Sequence, residues 1–144
     1  MFNGIIYNQG KVSKISKRPK GINIFVKSDF KFTKKDIGLS VACDGVCLTL
    51  ISFKSKLMEF YLSKETLVRS KFKYLKIKDI INLELPLKYG TKISGHICQG
   101  HVDTVAKVLK IKKIVDHWVL EAVVDRVGPV DDIDTLVLDA LLAA

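Results

Sequence analysis

The sequence contains no long apolar run and no export signal. An uninterrupted stretch of about 18 apolar residues, the least that crosses a bilayer as a helix, occurs nowhere in the chain. Asn3 and Gly4 follow directly on Met1 and Phe2, where a secretory signal would have a basic segment and then an apolar one. We therefore expect a cytoplasmic protein with no membrane partner.

Cysteine and arginine are also scarce. The three cysteines, Cys43, Cys47 and Cys98, are an odd number in a chain without an export signal, so we expect reduced thiols and no disulfide framework. Arginine supplies only 3 of the 24 cationic residues, although it is the residue best suited to recognising phosphates and bases. The net charge of +9 comes from scattered lysines and indicates a solvated basic surface that attracts anionic ligands.

The residues that are present form a pattern of short strands. Hydrophobic residues make up 48% of the 144 residues, which is enough for the core of one ordinary domain. Turn residues separate six apolar or alternating runs, and this spacing predicts an all-β sandwich or small barrel. The runs are Gly4–Val12, Ile22–Lys27, Leu39–Cys43, Val46–Phe53, Leu57–Leu62 and Ile80–Leu85.

The clearest local prediction is a hairpin around Asp44 and Gly45. This dipeptide favours the two-residue turn with positive φ that matches the twist of the flanking strands. Side chains alternate between faces along the returning strand, so Cys47 and Thr49 share one face and their apolar neighbours share the other. Farther along, Ser63 is predicted to cap the N-terminus of a short helical turn.

A segment near the N-terminus recurs 96 positions later. Gly4–Ile15 aligns with Gly100–Ile111, and five of the twelve pairs are identical, which points to two copies of one structural unit. We expect a first unit over residues 1–94 and the start of a second unit over residues 95–124. A complete second copy needs roughly as many residues as the first, so we expect it to be incomplete in this chain.

Residues 125–144 differ in composition from everything before them. They contain five aspartates, one arginine and no lysine. Gly128 and Pro129 break the chain, and Asp131–Asp134 then precede an aliphatic run, a pattern that favours a short C-terminal helix. Two interpretations stay open: an appended segment unrelated to the fold, or a helix that docks on a partner.

Five motifs make the chain resemble riboflavin synthase, an enzyme family built from two similar barrels. The motifs read MFNGII, IGLSVACDGVCLTL, KETL, NLE and GHICQGHVD, and they lie at Met1–Ile6, Ile37–Leu50, Lys64–Leu67, Asn82–Glu84 and Gly95–Asp103. They follow the family's order and spacing over residues 1–124. Asn3 and Asp44 replace the threonine and asparagine that are common in the family, and we expect the rest of the second barrel to be absent from this chain.

The resemblance implies a fold, a reaction and an assembly. The fold is a closed six-stranded antiparallel Greek-key barrel followed by an incomplete second copy. The reaction is the dismutation of two molecules of 6,7-dimethyl-8-ribityllumazine to riboflavin and 5-amino-6-(D-ribitylamino)uracil, by transfer of a four-carbon unit and without a metal or organic cofactor. The assembly is a trimer in which each site lies between the first barrel of one subunit and the second barrel of its neighbour.

The resemblance also implies a site on the first barrel. The candidate catalytic residues are His101, Cys47 and Ser40. An imidazole can exchange a proton with the C7 methyl group of the lumazine near neutral pH, and a thiol or hydroxyl can bind the ring or, for the thiol, add to it. Glycine at position 4 lets the backbone approach a flat ring. The candidate substrate-binding residues are Gly4, Ile5, Ile6, Cys47, Leu48, Thr49, Leu62, Ser63, Lys64, Glu65, Thr66, Gly100, His101 and Val102.

Several of these residues have plainer interpretations. His96, Cys98 and His101 form an H-x-C-x-x-H pattern that invites a zinc site, but the spacing fits no common ligand pair, and we expect no metal. Cys43 is expected to pack as a small apolar residue. Glu65 serves equally well as a structural helix cap.

Three functions remain open for the chain. The first is a riboflavin synthase whose truncation impairs turnover, because reaction requires two substrates held face to face. The second is a protein that binds lumazine or flavin without catalysis. The third is a basic barrel for single-stranded nucleic acid, suggested by lysines among the aromatics of Phe30–Phe32 and Arg69–Tyr74; no stacking motif accompanies them, and we expect no nucleic-acid partner. Two first barrels can also pair as a homodimer through the surface that normally faces the second barrel.

Overall fold

The computed structural model describes residues 1–90, 97, 99–114 and 117–124. The strands within them are β1 (Asn8–Arg18), β2 (Gly21–Lys27), β3 (Ser40–Cys43), β4 (Val46–Lys54), β5 (Leu57–Ser63), β6 (Ile80–Glu84), β7 (Ala106–Ile114) and β8 (His117–Val124). One helix, α1 (Lys64–Arg69), follows β5, and short 3-10 turns occupy Lys34–Asp36 and Lys71–Tyr74. In these ranges no helix has the length and apolar character to cross a membrane.

Strands β1 to β6 form a closed antiparallel barrel in the order β1-β2-β5-β4-β3-β6, and the pairing of β6 with β1 closes it. Strands β3, β4 and β5 are consecutive neighbours, whereas β6 returns to lie beside β3 and β2 lies beside β5. A strand that returns beside the first of three consecutive strands defines a Greek key. The expected barrel is therefore confirmed. The predicted C-terminal helix lies outside the described residues.

Alternation along the strands builds the core of the barrel. In β4 every second residue from Val46 to Leu50 is buried, and Cys47 and Thr49 between them face outward, as the sequence predicted. The buried side chains meet in one cluster inside the barrel. It contains Val12, Ile24, Val26, Val41, Cys43, Val46, Leu48, Leu50, Met58, Phe60, Leu62, Phe72, Ile81 and Leu83.

Strand β1 begins and ends later than the sequence pattern predicted. The expected run was Gly4–Val12, but Gly4 has a φ of 77°, which interrupts a strand. The N–H groups of Asn3 and Gly4 donate to Glu84 Oε1, at 2.7 and 3.1 Å, instead of joining a ladder. Past Val12 the strand continues through lysines and serines that pair with β2, and their polar character hid this half from the sequence pattern.

The β7–β8 hairpin repeats the β1–β2 hairpin with a constant offset of 96. Lys11 pairs with Lys27 in the first hairpin, and Lys107 pairs with Val123 in the second. The register shifts after Val12 in the first hairpin and after Val108 in the second. The structural repeat inferred from the sequence therefore includes its β-bulge, a feature that usually recurs within families.

Candidate functional site

A cleft of about 390 Å³ opens on the outside of the barrel, next to α1. Small-molecule pockets usually have volumes of about 300–1,000 Å³, so the cleft is large enough for one small heterocyclic ligand. Three parts of the chain line it: the start of β4, helix α1 and the segment before β7. The lining residues are Val46, Cys47, Glu65, Thr66, Arg69, Ser70, Gly100, His101, Val102 and Asp103.

The first wall is placed by the turn between β3 and β4. Asp44 and Gly45 have φ values of 46° and 81°, which confirms the predicted positive-φ turn. The turn brings Cys47 opposite Ala42 and leaves its side chain partly exposed on the outer face of β4. The thiol of Cys47 therefore faces the cleft, whereas the neighbouring apolar side chains fill the core.

The second wall is α1, which begins at the predicted cap. Ser63 Oγ accepts a hydrogen bond from Thr66 N at 3.1 Å and lies 3.0 Å from Thr66 Oγ1. One turn later, Ser70 Oγ donates to Thr66 O at 2.6 Å. Because these bonds hold both ends of the short helix, the hydroxyl of Thr66 has a fixed place in the cleft wall.

The third wall comes from the segment that precedes β7. Cys47 N donates to Gly100 O at 3.0 Å, and Val102 packs against the core cluster. Gly100 has a φ of 79°, and a Cβ atom there would lie 3.0 Å from Cys47 Cβ and 3.2 Å from the ring of Phe2. Only glycine fits this approach without strain. His101 is held at the cleft by the two residues that flank it.

Charged groups of both signs surround the cleft. Arg69 Nε lies 3.1 Å from Glu65 Oε1, one helical turn away, and Arg69 Nη1 donates to Asp103 O at 3.4 Å. The guanidinium therefore connects α1 to the segment that carries Gly100 and His101. With Glu65 and Asp103 beside Arg69, the cleft has no uniform charge, which suits a polar ligand without a strong net charge.

The two described cysteines have different environments. Cys43 is fully buried, and burial, followed by the nearby Asp44 and Cys47, raises the pKa of its thiol well above the ordinary value of 9.0. Cys47 is half-buried at the cleft. Only the thiolate is a nucleophile, so Cys43 is an inert core residue, as expected, and Cys47 is the thiol placed for contact with a ligand.

The structure brings together part of the predicted site. Six of the predicted residues line the cleft: Cys47, Glu65, Thr66, Gly100, His101 and Val102. Ser63 supports the cleft as the cap of α1, and Lys64 is exposed next to it. The predicted contacts of these residues with a substrate stay predictions.

Four other predicted residues lie on β3, β4 and β5 outside the cleft lining. Ser40 pairs with Thr49 across the β3–β4 ladder, and Thr49 lies on the same outer face as Cys47, two positions away. Leu48 and Leu62 have their side chains in the core. Contact between these two leucines and a ligand would therefore involve their main chain.

The predicted residues Gly4, Ile5 and Ile6 are not part of the cleft lining. The carboxylate of Glu84 anchors the segment through Asn3 and Gly4, and Ile5 is exposed. Gly4 corresponds to Gly100 in the repeat, and the two glycines share a φ near 78° (77° and 79°). The same backbone shape thus occurs twice, once against the cleft and once at the surface.

Sequence reasoning missed four residues of the cleft: Val46, Arg69, Ser70 and Asp103. Helical spacing held a signal for Arg69 and Ser70, which lie three and four positions after Thr66 and therefore on its face. Asp103 follows the predicted Val102 directly. Among the described residues, no group of three His, Cys, Asp or Glu side chains could hold a metal ion; His96 and Cys98 lie outside them.

Comparison with known proteins identifies the family of the chain. The model of the lumazine binding domain matches residues 3–86. The chain belongs to the lumazine-binding domain family. Riboflavin synthase of Chlamydia pneumoniae is 39% identical over 114 residues, which cover 78% of this chain and 57% of that protein. Riboflavin synthase of Photobacterium phosphoreum is 35% identical over 123 residues, covering 83% and 56%. The chain thus spans little more than half the length of these curated relatives.

Solved structures of lumazine-binding barrels share the fold. LumP complexed with 6,7-dimethyl-8-(1'-D-ribityl) lumazine has a TM-score of 0.67 at 22% identity, over 85% of this chain and 68% of that one. LumP complexed with flavin mononucleotide has a TM-score of 0.64 at 24% identity, over 78% and 63%. At these identities the similarity establishes the fold.

Proposed function

We propose that the chain binds 6,7-dimethyl-8-ribityllumazine in the cleft between β4 and α1 and takes part in riboflavin synthesis. The observation that carries the proposal is the cleft itself, because Cys47, Thr66 and His101 come from three separate parts of the chain and meet there. Each belongs to a motif that resembles riboflavin synthase. The relatives that are 35–39% identical are riboflavin synthases, which supports the same ligand class.

His101 is the proposed acid or base for the C7 methyl group of the lumazine. The methyl proton becomes acidic because the resulting carbanion is delocalised over the ring. Donors at the ring's polar edge stabilise that charge, and the Thr66 hydroxyl is placed in the cleft for this role. Cys47 can donate a weak hydrogen bond or add to the electrophilic ring carbon. Ser40 and Thr49 are proposed to extend the polar face along the outside of the barrel.

Transfer of a four-carbon unit needs a second lumazine held against the first. A single cleft of about 390 Å³ has room for one heterocycle, so we propose that the second is presented by another barrel, as in the trimer or homodimer expected from the sequence. Two substrates fixed face to face react as an intramolecular pair, which supplies several kcal/mol of the barrier, up to about 7–11 in favourable cases. In this chain alone the dismutation is therefore expected to be impaired.

Binding without turnover is the second candidate function. It is favoured by the lining of the cleft: every lining residue in the described part of the chain comes from β4, from α1 with Ser70, or from the Gly100–Asp103 segment. LumP, which shares the fold, has been solved with lumazine, riboflavin and flavin mononucleotide. A cleft of this kind binds a heterocycle through its own contacts, because affinity does not require the second substrate.

Most of the aromatic residues that suggested nucleic-acid binding are packed against the protein. Phe30 and Phe32 stack edge to face, Phe32 also packs on Phe53, and Phe72 is buried in the core. Aromatic rings that are packed this way offer no platform to bases. Tyr74 is 67% exposed, with Lys73 Nζ 4.8 Å from the centre of its ring, so the absence of a nucleic-acid partner stays a prediction. The cytoplasmic location and the lack of a cofactor requirement stay predictions.

A titration with 6,7-dimethyl-8-ribityllumazine tests the proposal. Ligand fluorescence should change on binding to the whole chain, and the Thr66→Val and His101→Ala variants should bind at least about tenfold more weakly, the equivalent of about 1.4 kcal/mol. Lys17→Ala, on the outer face of β1, is the matched control. Riboflavin formation in the same samples separates the two candidates. Wild-type protein that is folded but does not bind lumazine would overturn both.

A further inference from the structure

An ion pair joins the two main walls of the cleft from behind. Asp44 Oδ2 lies 2.9 Å from Lys71 Nζ. Asp44 precedes Val46 and Cys47 on the first wall, and Lys71 directly follows Ser70 on the second. Neither charged residue lines the cleft, yet each is within three positions of a residue that does.

Asp44 is held rigidly on the barrel side of the pair. Its side chain is 7% exposed, its N–H donates to Asn82 O at 2.9 Å, and its Oδ1 accepts from Asn82 N at 2.7 Å. The other oxygen, Oδ2, accepts no well-aligned hydrogen bond among the described residues, and the Lys71 ammonium 2.9 Å away is the cation beside it. A buried carboxylate oxygen without hydrogen bonds is strongly destabilising unless a cation lies beside it, so Asp44 draws the ammonium of Lys71 toward the barrel.

Lys71 transmits this attraction to the second wall. Its side chain is largely exposed, but the backbone around it is fixed, because Phe72 is buried in the core and Phe72 N donates to Ser70 Oγ at 3.3 Å. Ser70 Oγ in turn donates to Thr66 O. Lys71, Ser70 and the end of α1 are therefore linked, and the ion pair connects this group to the turn that precedes Cys47.

We propose that Asp44 and Lys71 are positioning residues, whose ion pair sets the separation between Cys47 and the Thr66–Ser70 wall and so the affinity of the cleft for its ligand. This inference rests on the proposed function for its ligand. It extends that function, because neither Asp44 nor Lys71 lines the cleft. Because Lys71 is largely exposed, the pair is expected to add little to stability, and the proposal concerns its effect on geometry.

The Asp44→Asn variant is the main test. Asparagine, the residue that is common at this position in the family, keeps the acceptor for Asn82 N and the shape of the side chain but has no charge to hold the ammonium. The variant therefore tests whether this chain depends on its own ion pair. We expect the dissociation constant for 6,7-dimethyl-8-ribityllumazine to rise about tenfold. Lys71→Met should have the same effect, Lys71→Arg should restore affinity to within about threefold, and the double variant Asp44→Asn/Lys71→Met should bind no more weakly than either single variant.

Asp29→Asn is the matched control. Asp29 forms an exposed ion pair with Lys56 at 2.7 Å, away from the cleft, so this variant loses the same charge and the same kind of contact. Its dissociation constant should equal that of the wild type. A purely structural role for Asp44 would lower the melting temperature without changing the affinity of the folded protein, and Lys71→Arg would not restore affinity.

A second measurement keeps the test independent of the ligand. In a Cys98→Ser background, the rate at which iodoacetamide alkylates Cys47 reports the separation of the walls, because Cys43 is buried. We expect Asp44→Asn and Lys71→Met each to raise this rate at least about threefold and Asp29→Asn to leave it unchanged. The first two variants change the nearby charge in opposite directions, so a rise in both reports geometry and not electrostatics. If lumazine does not bind the wild type, the proposed function fails. The alkylation rates alone then decide whether the ion pair sets the separation of the two walls. Equal rates and equal affinities in Asp44→Asn and wild type would overturn the inference.

Discussion

Single residues near the cleft show how burial separates chemically similar groups. Cys43 and Cys47 lie on neighbouring strands, yet one is fully buried and the other reaches the cleft. Likewise Glu84 is buried and accepts two backbone N–H groups, whereas Glu65 is exposed and pairs with Arg69. Only the exposed member of each pair can meet a ligand, so the buried members are structural.

The buried thiol gives the barrel a dependence on alkaline pH. Burial, followed by the nearby Asp44 and Cys47, raises the pKa of Cys43 above 9.0, so above that pH the unfolded chain loses a proton that the folded chain keeps. The free energy of unfolding that the neutral Cys43 thiol contributes is fully present below pH 9. It is lost as the pH rises, by at most about 1.4 kcal/mol per pH unit. Urea unfolding at pH 7, 9 and 10 measures it.

The Cys43→Ala variant supplies the comparison for this prediction. At pH 7 its free energy of unfolding should be lower than that of the wild type, because alanine fills less of the core than cysteine. Between pH 9 and 10 it should fall less steeply than that of the wild type. Cys47→Ala, which removes a half-exposed thiol, should keep the steep fall. Parallel curves for wild type and Cys43→Ala would show that Cys43 does not control the slope.

At the scale of elements, much of the barrel could be predicted from the sequence. Strands β2 to β6 match the predicted runs to within two residues at each end, because their alternation between apolar and polar residues matches the pleat. The Asp44-Gly45 turn and the Ser63 cap were predictable because the chemistry of each is local. The second half of β1 was not, because its lysines and serines carry no apolar pattern, and pairing to β2 decides its structure.

The site was less predictable than the elements that carry it. The family resemblance singled out Cys47, Thr66 and His101, but the hydrogen bond from Cys47 to Gly100 joins residues 53 positions apart, and no local pattern encodes it. Arg69 is positioned by contacts with both α1 and the segment that follows the barrel. Such contacts depend on the tertiary fold, and sequence periodicity does not report them.

The β2–β5 pair depends on glycine at one end of β2. Gly21 pairs with Ser63, and a Cβ atom at Gly21 would lie 2.0 Å from Leu62 O. The contact is with backbone, so no change of side-chain rotamer relieves it. We expect Gly21→Ala to lower the free energy of unfolding by about 1–3 kcal/mol, measured by urea denaturation. Ser13→Ala, on the exposed side of β1, is the control and should stay within about 0.5 kcal/mol of the wild type.

Displacement of Gly21 should also disturb α1, because Gly21 pairs with Ser63. Ser63 is the last residue of β5 and the N-cap of the helix. Weaker lumazine binding by Gly21→Ala, measured well below its melting temperature, would therefore accompany the loss of stability. An alanine variant as stable as the wild type would mean that β2 and β5 separate at this end without cost.

At the scale of the whole molecule, two copies of one hairpin occur in different surroundings. In the first unit, β5 and β6 flank the β1–β2 hairpin and close the barrel over it. The β7–β8 hairpin forms its own two-stranded sheet among the described residues. Among the described residues the same register and the same bulge thus occur in a six-stranded barrel and in a two-stranded sheet.

The repeat provides a pair of substitutions that tests how each unit contributes to stability. Val12 and Val108 are equivalent positions, but Val12 is 0% exposed in the core, whereas Val108 is 46% exposed. Val12→Ala leaves a cavity in the barrel and should lower the free energy of unfolding by about 2 kcal/mol. Val108→Ala removes little buried area and should change it by less than about 0.5 kcal/mol. Urea unfolding followed by circular dichroism measures both variants, and equal losses would mean that the second hairpin is packed as tightly as the first.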